Sequence, residues 1–214
     1  MPLPSNPAPD VPPPIRGRPR GFDTEATLDA AVRVFWRRGY AGASLADVTA
    51  ATGVHKPSLR AAFGAKEALY LAALDRYWTA RMGHTSRVLE AAPTAAEAVA
   101  ALLAKVVANL APRPGEPRGC LRVNGALECD APPSARAALG RMRSELAEAV
   151  RARLERGIAE GDLPPSEDPA ALAEATATLI DGLAAAARSG APAAALAATA
   201  ALALRWMPPA GGRP

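Results

Sequence analysis

The sequence predicts an all-α fold in which three short N-terminal helices precede a bundle of longer helices. Alanine, the strongest helix former, makes up roughly a quarter of the 214 residues. Aromatic residues account for only 4% of the chain, and no run rich in β-branched residues indicates a large sheet. Half of the residues are hydrophobic and 21% are charged, so the chain has enough apolar material to bury a core.

The composition also argues against several classes of protein. Two cysteines in a chain of this length cannot form a disulfide scaffold, and they favour a reducing compartment. The most apolar stretch, residues 183–204, is rich in alanine and broken by Arg, Gly and Pro, so no membrane span is predicted. The proline-rich N-terminus lacks the apolar region of a secretory signal. We therefore expect a cytoplasmic protein that makes no membrane contact.

The net charge of +4 is concentrated in one part of the chain. Residues 16–66 hold nine Lys and Arg against four Asp and Glu, whereas the 148 residues after them balance at sixteen each. A local basic excess is typical of a module that binds a polyanion, although a solvated basic face would have the same composition. Proline dominates residues 1–15, which we expect to form a disordered tail, and residues 208–214 form a second tail.

The first helix is expected to begin at an N-cap formed by Asp23 or Thr24 and to end at Gly39. Its apolar residues recur with the spacing of one helical face. They are Leu28, Ala31, Val32, Phe35 and Trp36.

Two shorter helices should follow. Ser44, with Asp47 three residues later, resembles the capping box of a second helix that ends at Gly53. Pro57 suits the first position of a third helix, which Gly64 breaks.

Longer helices are expected in the rest of the chain. Five of them cover about 66–91, 94–111, 119–129, 134–160 and 192–206. Asp168 caps a further helix, whose apolar face runs from Leu172 to Leu183. The last helix is apolar on all sides, which indicates that several partners, including a second subunit, cover it.

The two short helices joined at Gly53 form a helix-turn-helix candidate over residues 45–63. The surrounding segment, about residues 22–75 with the run TLDAAVRVFWRRGYAGASLADVTAATGVHKPSLRAAFGAKEALYLAAL, resembles the DNA-binding domain of the TetR family of transcriptional regulators. The rest of the chain is similar to the ligand-binding and dimerisation domain of that family in its helices and loops. The resemblance implies a helix-turn-helix domain with a basic arm over residues 16–66 and an effector-binding and dimerisation domain over residues 67–207.

The resemblance also implies that the third helix enters the major groove of double-stranded DNA. Its N-terminal part holds residue types that suit base reading: His55, Lys56, Ser58, Leu59 and Arg60. Ser44 and Lys66, at the starts of the second and fourth helices, would contact phosphates. Packing in the core of the three helices is the alternative for Leu59.

The chain departs from the family pattern in the recognition helix. Members usually carry a tyrosine and a second aromatic residue where this chain has Arg60 and Ala62, so Arg60 is expected to replace a phosphate or base contact. Ala65 stands where the family has a Ser or Thr cap, so the fourth helix should be poorly capped.

A basic arm precedes the first helix. Arg16, Arg18 and Arg20 lie in the run RGRPRG, which resembles the core of an AT-hook, a segment that lies extended in the minor groove of A·T-rich DNA. A solvated linker is the alternative for this run.

The second domain is expected to hold a small-molecule effector among its helices. Candidate lining residues have soft or amphipathic side chains: Trp78, Met82, Asn109, Cys120, Asn124, Met142 and Asp181. Cys120 would open a helix between Arg118 and Arg122, a setting that favours the thiolate and its reaction with electrophiles or oxidants. A small buried hydrophobe is the alternative for this cysteine. Cys129 would lie too far along the same helix for a disulfide.

These observations predict a ligand-responsive transcriptional regulator, most simply a repressor. It would bind a palindromic operator as a homodimer and be released by a small-molecule or electrophile effector. The alternative is a helical small-molecule carrier or interaction protein that no longer binds DNA specifically. No catalytic constellation is evident, and two His and two separated Cys do not form a metal site, so we expect no enzyme, cofactor or metal.

Overall fold

The computed structural model describes residues 22–206, and over this range the chain is all-helical, without strands. The helices are α1 (Thr24–Gly42), α2 (Leu45–Thr52), α3 (Lys56–Phe63), α4 (Lys66–Ala91), α5 (Ala95–Leu110), α6 (Leu121–Ala126), α7 (Pro133–Glu160), α8 (Pro169–Arg188) and α9 (Ala193–Ala203). A short 3-10 turn, Leu204–Trp206, follows α9. The predicted all-α fold is confirmed. Both tails and the arm residues Arg16, Arg18 and Arg20 lie outside the described range.

Four of the helices, α1, α2, α5 and α8, begin at side-chain caps that the sequence offers. The Asp23 carboxylate accepts hydrogen bonds from two amides in the first turn of α1, at 2.9 and 3.1 Å. Ser44 and Asp47 form the expected capping box of α2, because the Asp47 amide donates to the Ser44 hydroxyl and the Ser44 amide donates to the Asp47 carboxylate. Thr94 and Glu97 form a second capping box at α5. Ala65 provides no side-chain cap for α4, as expected.

One predicted boundary is confirmed and another is wrong. The regular part of α1 ends at Gly39 as predicted, because Gly39 has the non-helical backbone angles φ +70° and ψ 177°, and one further turn follows this kink as far as Gly42. The kink is held from outside, because the Tyr40 amide donates to the Glu128 carboxylate at 2.6 Å. Helix α6 covers only part of the predicted 119–129 segment, so Cys129 lies beyond its end and the spacing argument against a disulfide does not apply; both cysteines are free.

Helix α4 joins the two parts of the molecule. Its N-terminal half packs on α1, where the rings of Phe35 and Tyr70 lie 4.8 Å apart. Its middle and last turns contribute Tyr77, Trp78 and Leu89 to the core of the larger bundle. One continuous helix therefore belongs to both cores.

Helix α8 is the one helix within residues 22–206 that is long and apolar enough to cross a membrane. It packs against α7, α5 and α9. Its buried residues include Ala173, Ala177, Ile180 and Leu183. The apolar character of α8 is therefore accounted for by its place in the bundle.

Candidate nucleic-acid interface and ligand cavity

The helix-turn-helix consists of α2, a left-handed Gly53 with φ +72°, and α3. Val48 and Leu59 are both fully buried and hold the two helices on the core shared with α1 and α4. This burial contradicts the prediction that Leu59 contacts DNA. Its side chain fills the space beneath the recognition helix, where an apolar residue is most stable.

The outer surface of α3 carries the other predicted base-reading residues. His55, Lys56, Ser58 and Arg60 are all exposed. Lys56 and Arg60 are four residues apart and therefore share one face of the helix. The segment from His55 to Ala65 contains no Asp or Glu, so this surface is basic without internal neutralisation. Such a surface suits both phosphates and guanine edges.

The side chain of Ser44 is already engaged within the protein. Its hydroxyl donates to the Asp47 carboxylate at 2.7 Å. This hydrogen bond and the ion pair with Arg38 at 2.9 Å hold the pKa of Asp47 below its usual value. The structure therefore assigns the Ser44 hydroxyl to the cap of α2, and its phosphate contact stays a prediction.

Lys66 connects the start of α4 to the end of α1. Its ammonium group lies 4.4 Å above the ring of Tyr40 and donates to the Ala41 carbonyl at 3.4 Å. An ammonium has three donors, so a phosphate could accept another of them. Contact between Lys66 and DNA stays a prediction.

A cavity of about 90 Å³ lies between α4, α5, α6, α7 and α8. Three of the predicted effector contacts, Trp78, Asn109 and Cys120, line it. Much of the remaining wall is apolar: Val88, Leu102, Val106, Leu110, Leu146 and Ile180. The cavity thus combines apolar walls with a small number of polar side chains, a combination that ligand sites share.

The other four predicted effector contacts do not line this cavity. Met142 is buried in the core, and Met82 packs against the outside of the core. The buried Asn124 amide donates to the Arg118 carbonyl at 3.0 Å and so shapes the turn before α6. Asp181 pairs with arginines on α6 and α7. Soft and polar residue types also serve packing and buried hydrogen bonds, which explains why these four lie away from the cavity; their contact with an effector stays a prediction.

Cys120 is the N-cap residue of α6 and is half-buried at the cavity wall. Its Sγ lies 3.1 Å from the hydroxyl of Tyr77 on α4. Burial and the neighbouring sulfur raise the pKa of the Tyr77 hydroxyl. The hydroxyl therefore stays protonated, and either this hydroxyl or the thiol can be the donor in the contact.

Arg122 is a cavity residue that the sequence interpretation missed. Only 3% of it is exposed, and its guanidinium pairs with Asp181 and lies 5.8 Å above the ring of Trp78. Arg143 binds the same aspartate at 3.0 Å and Glu174 at 2.6 Å. An arginine in a short apolar helix was the available signal for a buried charge, but its partner Asp181 could not be identified from the sequence.

The segment around Cys120 is bonded directly to α1. The indole nitrogen of Trp36 donates to the Arg118 carbonyl at 3.2 Å, and Arg37 donates to the Gly115 carbonyl. Beyond α6, Glu128 accepts the Tyr40 amide. The cavity wall is thus attached to the helix-turn-helix domain on both sides of α6.

No group of three His, Cys, Asp or Glu side chains that could hold a metal occurs within the described part of the chain. The helix-turn-helix with its basic outer surface, set on a helical bundle, defines a DNA-binding transcriptional regulator.

The comparisons identify the family. Residues 28–73 match the family described as bacterial regulatory proteins, tetR family, and residues 95–202 match the tetracyclin repressor-like C-terminal domain. The chain belongs to the TetR family of transcriptional regulators.

Relatives and solved structures agree with this assignment. The HTH-type transcriptional repressor ComR of Escherichia coli K12 is 34% identical over 177 residues, which cover 82% of this chain and 84% of ComR. A cysteine mutant of the TetR family regulator CifR, complexed with 26-bp double-strand operator DNA, is 42% identical, with a TM-score of 0.83 over 90% of this chain and 100% of that one. A TetR regulator from Chloroflexus aurantiacus is 28% identical, with a TM-score of 0.76 over 85% and 92% of the two chains.

Proposed function

We propose that this chain is a homodimeric cytoplasmic repressor that binds a near-palindromic operator and leaves it when a small molecule or electrophile occupies the cavity at Cys120. The observation that carries the proposal is the direct attachment of the cavity wall to the DNA-binding domain. Trp36 and Arg37 of α1 bond to the loop before Cys120, and Tyr40 bonds to Glu128 after α6. A change at the cavity therefore alters the position of α1.

The DNA-binding part of the proposal is supported by the exposed basic surface of α3 and by the relatives. ComR is named as a repressor, and the CifR mutant is described in complex with operator DNA. Lys56 and Arg60 are expected to contact the operator, with Ser58 and His55 near the bases. A homodimer would place two such helices on two half-sites.

The homodimer is supported by an exposed apolar surface on α9. Leu202 is 55% exposed, one of two large hydrophobic residues in this state within the described range. Two exposed alanines, Ala195 and Ala198, lie on the same face of the helix as Leu202. Small residues allow close helix approach, and an uncovered apolar face is typical of an interface.

Release from DNA is expected to follow a population shift. An effector bound in the cavity, or covalently attached to the Cys120 sulfur, would favour a conformation in which the two recognition helices no longer fit their half-sites. Coupling between two such sites is typically about 1–3 kcal/mol, or roughly 5–150-fold in affinity.

Fluorescence anisotropy with DNA from upstream of the gene tests this function. We expect binding stronger than to random DNA, two protected half-sites in a footprint, and release after treatment with 1,4-benzoquinone. Cys120→Ser should abolish that release, and Cys129→Ser, the matched control at the exposed cysteine, should retain it. Absence of binding even at low salt would favour the carrier alternative, and release of Cys120→Ser would exclude Cys120 as the sensor.

A further inference from the structure

The cavity at Cys120 has a lining of one charge sign. Three basic side chains, Arg81, Lys105 and Arg122, are among its lining residues, and His84 also lines it. No aspartate or glutamate lines it. Walls of a single charge sign focus the electrostatic potential within a cleft and raise the local concentration of ions of the opposite sign.

Two of these cations are not neutralised by neighbours. Within residues 22–206, neither Arg81 nor Lys105 has a carboxylate oxygen within 4 Å. The guanidinium of Arg81 lies 5.2 Å from the centre of the Tyr77 ring, and the Tyr77 hydroxyl touches the Cys120 sulfur. The positive charge of Arg81 is therefore close to the reactive group.

Arg122 supplies an independent indication of a ligand. Only 3% of Arg122 is exposed, and its Nη2 forms the ion pair with Asp181. Its Nε is buried and has no hydrogen-bond partner among the described residues. A buried donor without a partner is costly, and such donors are usually satisfied by a bound group or water. An acceptor atom on a ligand would satisfy it.

The apolar walls and the volume of the cavity limit the size and polarity of the ligand. Val88, Leu102, Leu146 and Ile180 form apolar walls, and the volume of about 90 Å³ admits only a compact group. A cavity of this kind favours a small apolar body, while the cations favour a negative substituent.

We propose that the cavity selects effectors that carry an anionic group, a carboxylate or sulfonate, on a compact apolar body. Arg81 and Lys105 bind the anion, and the body lies against the apolar walls next to Cys120. The inference rests on the proposed function for its regulatory meaning, but the charge selectivity is a property of the cavity and is measured without DNA.

Charged thiol reagents of similar size measure this selectivity. In Cys129→Ser protein, Cys120 is the single thiol, and its modification rate is measured with the anionic 2-sulfonatoethyl and the cationic 2-trimethylammonioethyl methanethiosulfonates. In each reaction the Cys120 thiolate attacks the divalent sulfur bonded to the reagent's alkyl group, the bond from that sulfur to the sulfonyl sulfur breaks, a mixed disulfide forms, and methanesulfinate leaves. We expect the ratio of the anionic to the cationic modification rate to be roughly tenfold or more higher for Cys120 than for free 2-mercaptoethanol. A ratio at or below that of the free thiol would overturn the proposal.

Substitution of the two cavity cations tests whether they cause the charge selectivity. Arg81→Gln/Lys105→Gln should return the ratio to near that of the free thiol. Arg141→Gln is the matched control, since Arg141 is exposed on α7 and is not a lining residue, and it should leave the ratio unchanged. An unchanged ratio in the double variant would also overturn the proposal.

A non-covalent probe tests binding itself. Benzoate should slow modification of Cys120 by the neutral methyl methanethiosulfonate at concentrations where isosteric benzamide does not, and equal protection by both would contradict anion selection.

Measuring operator binding in the same samples distinguishes a failure of anion selection from a failure of the proposed repressor function. Release by the neutral reagent with no charge preference would refute anion selection and retain the proposed repressor, whereas absence of operator binding before any reagent would refute the repressor alone.

Discussion

At the residue scale, Arg122 illustrates how a buried charge is retained. Its guanidinium is almost fully enclosed and is balanced by Asp181, which also binds Arg143. Moving a charge from water into the protein interior costs several kcal/mol. The ion pair and the ring of Trp78 therefore offset this desolvation penalty and add little net stability to the fold. The position is therefore more easily understood through the cavity that it lines than through the stability of the fold.

Gly39 is a second residue with an unusual local demand. Its backbone has φ +70° and ψ 177°, a region that is nearly restricted to glycine. An added Cβ would lie 2.7 Å from a carboxylate oxygen of Glu128. We expect Gly39→Ala to lower the free energy of unfolding by about 1–3 kcal/mol, measured by urea denaturation.

Gly140→Ala is the control for that substitution. Gly140 lies within α7, and nothing is within 4 Å of an added Cβ there. Alanine should therefore raise the free energy of unfolding by about 0.5–1 kcal/mol through helix propensity. Equal destabilisation by both substitutions would contradict the role assigned to the Gly39 kink.

At the element scale, the contacts of α1 with the segments on either side of α6 form the junction on which the proposed function depends. Trp36 contacts the loop before α6 through a hydrogen bond and packs edge-on against Tyr77 with ring centres 5.3 Å apart. Glu128 holds the last turn of α1 from the other side of α6. Because one attachment lies on each side of a six-residue helix, we expect a displacement of α6 to move α1.

Glu128→Ala tests this transmission. It removes the acceptor of the Tyr40 amide, so modification of Cys120 should proceed at its normal rate while its effect on operator affinity falls at least several-fold. The measurement is operator Kd before and after modification. Glu116→Ala, an exposed loop residue without side-chain hydrogen bonds in the described range, should keep the full effect. Full coupling in Glu128→Ala would disprove the junction model.

At the scale of the whole molecule, positive charge and apolar surface lie in different places. The basic excess belongs to the N-terminal domain, whereas the exposed apolar helix α9 is at the other end of the described chain. This separation suits a dimer that associates through its C-terminal helices and presents two basic surfaces to DNA.

The salt dependence of operator affinity reports how many phosphate contacts the DNA-binding surface makes. Lys56→Ala and Lys66→Ala should each weaken operator binding, and each lost phosphate contact should reduce the slope of log Kd against log salt by about one. Arg141→Ala, which removes a charge from the exposed face of α7, should change neither quantity. Unchanged affinity in both lysine variants would refute the docking of α3 and α4 on DNA.

Leu202→Glu tests the dimer. A charge on the exposed face of α9 should convert the dimer to monomers at micromolar concentration, as measured by sedimentation velocity, because an unpaired carboxylate would be buried. Leu127→Glu is the control, since Leu127 is the other large hydrophobic residue exposed in the described range, at 64%. A dimeric Leu202→Glu variant would exclude this face as the interface.

The helices and their caps could be predicted because their determinants are local. Asp23, Ser44 with Asp47, and Gly53 act on backbone groups within four residues, so a reader of the sequence can identify them. The family resemblance of the helix-turn-helix is also contained in one continuous segment. Leu59 was misassigned because the same helix has an inner and an outer face, and burial decides which is which.

The sequence by itself determined the helical fold, the position of the recognition helix and the basic N-terminal charge, since these depend on composition and on neighbours along the chain. Only the tertiary structure decided which side chains meet at the cavity. Tyr77 reaches Cys120 across 43 residues, and Arg122 reaches Asp181 across 59. Such contacts depend on how helices pack, and no periodicity or cap in the chain encodes that distance.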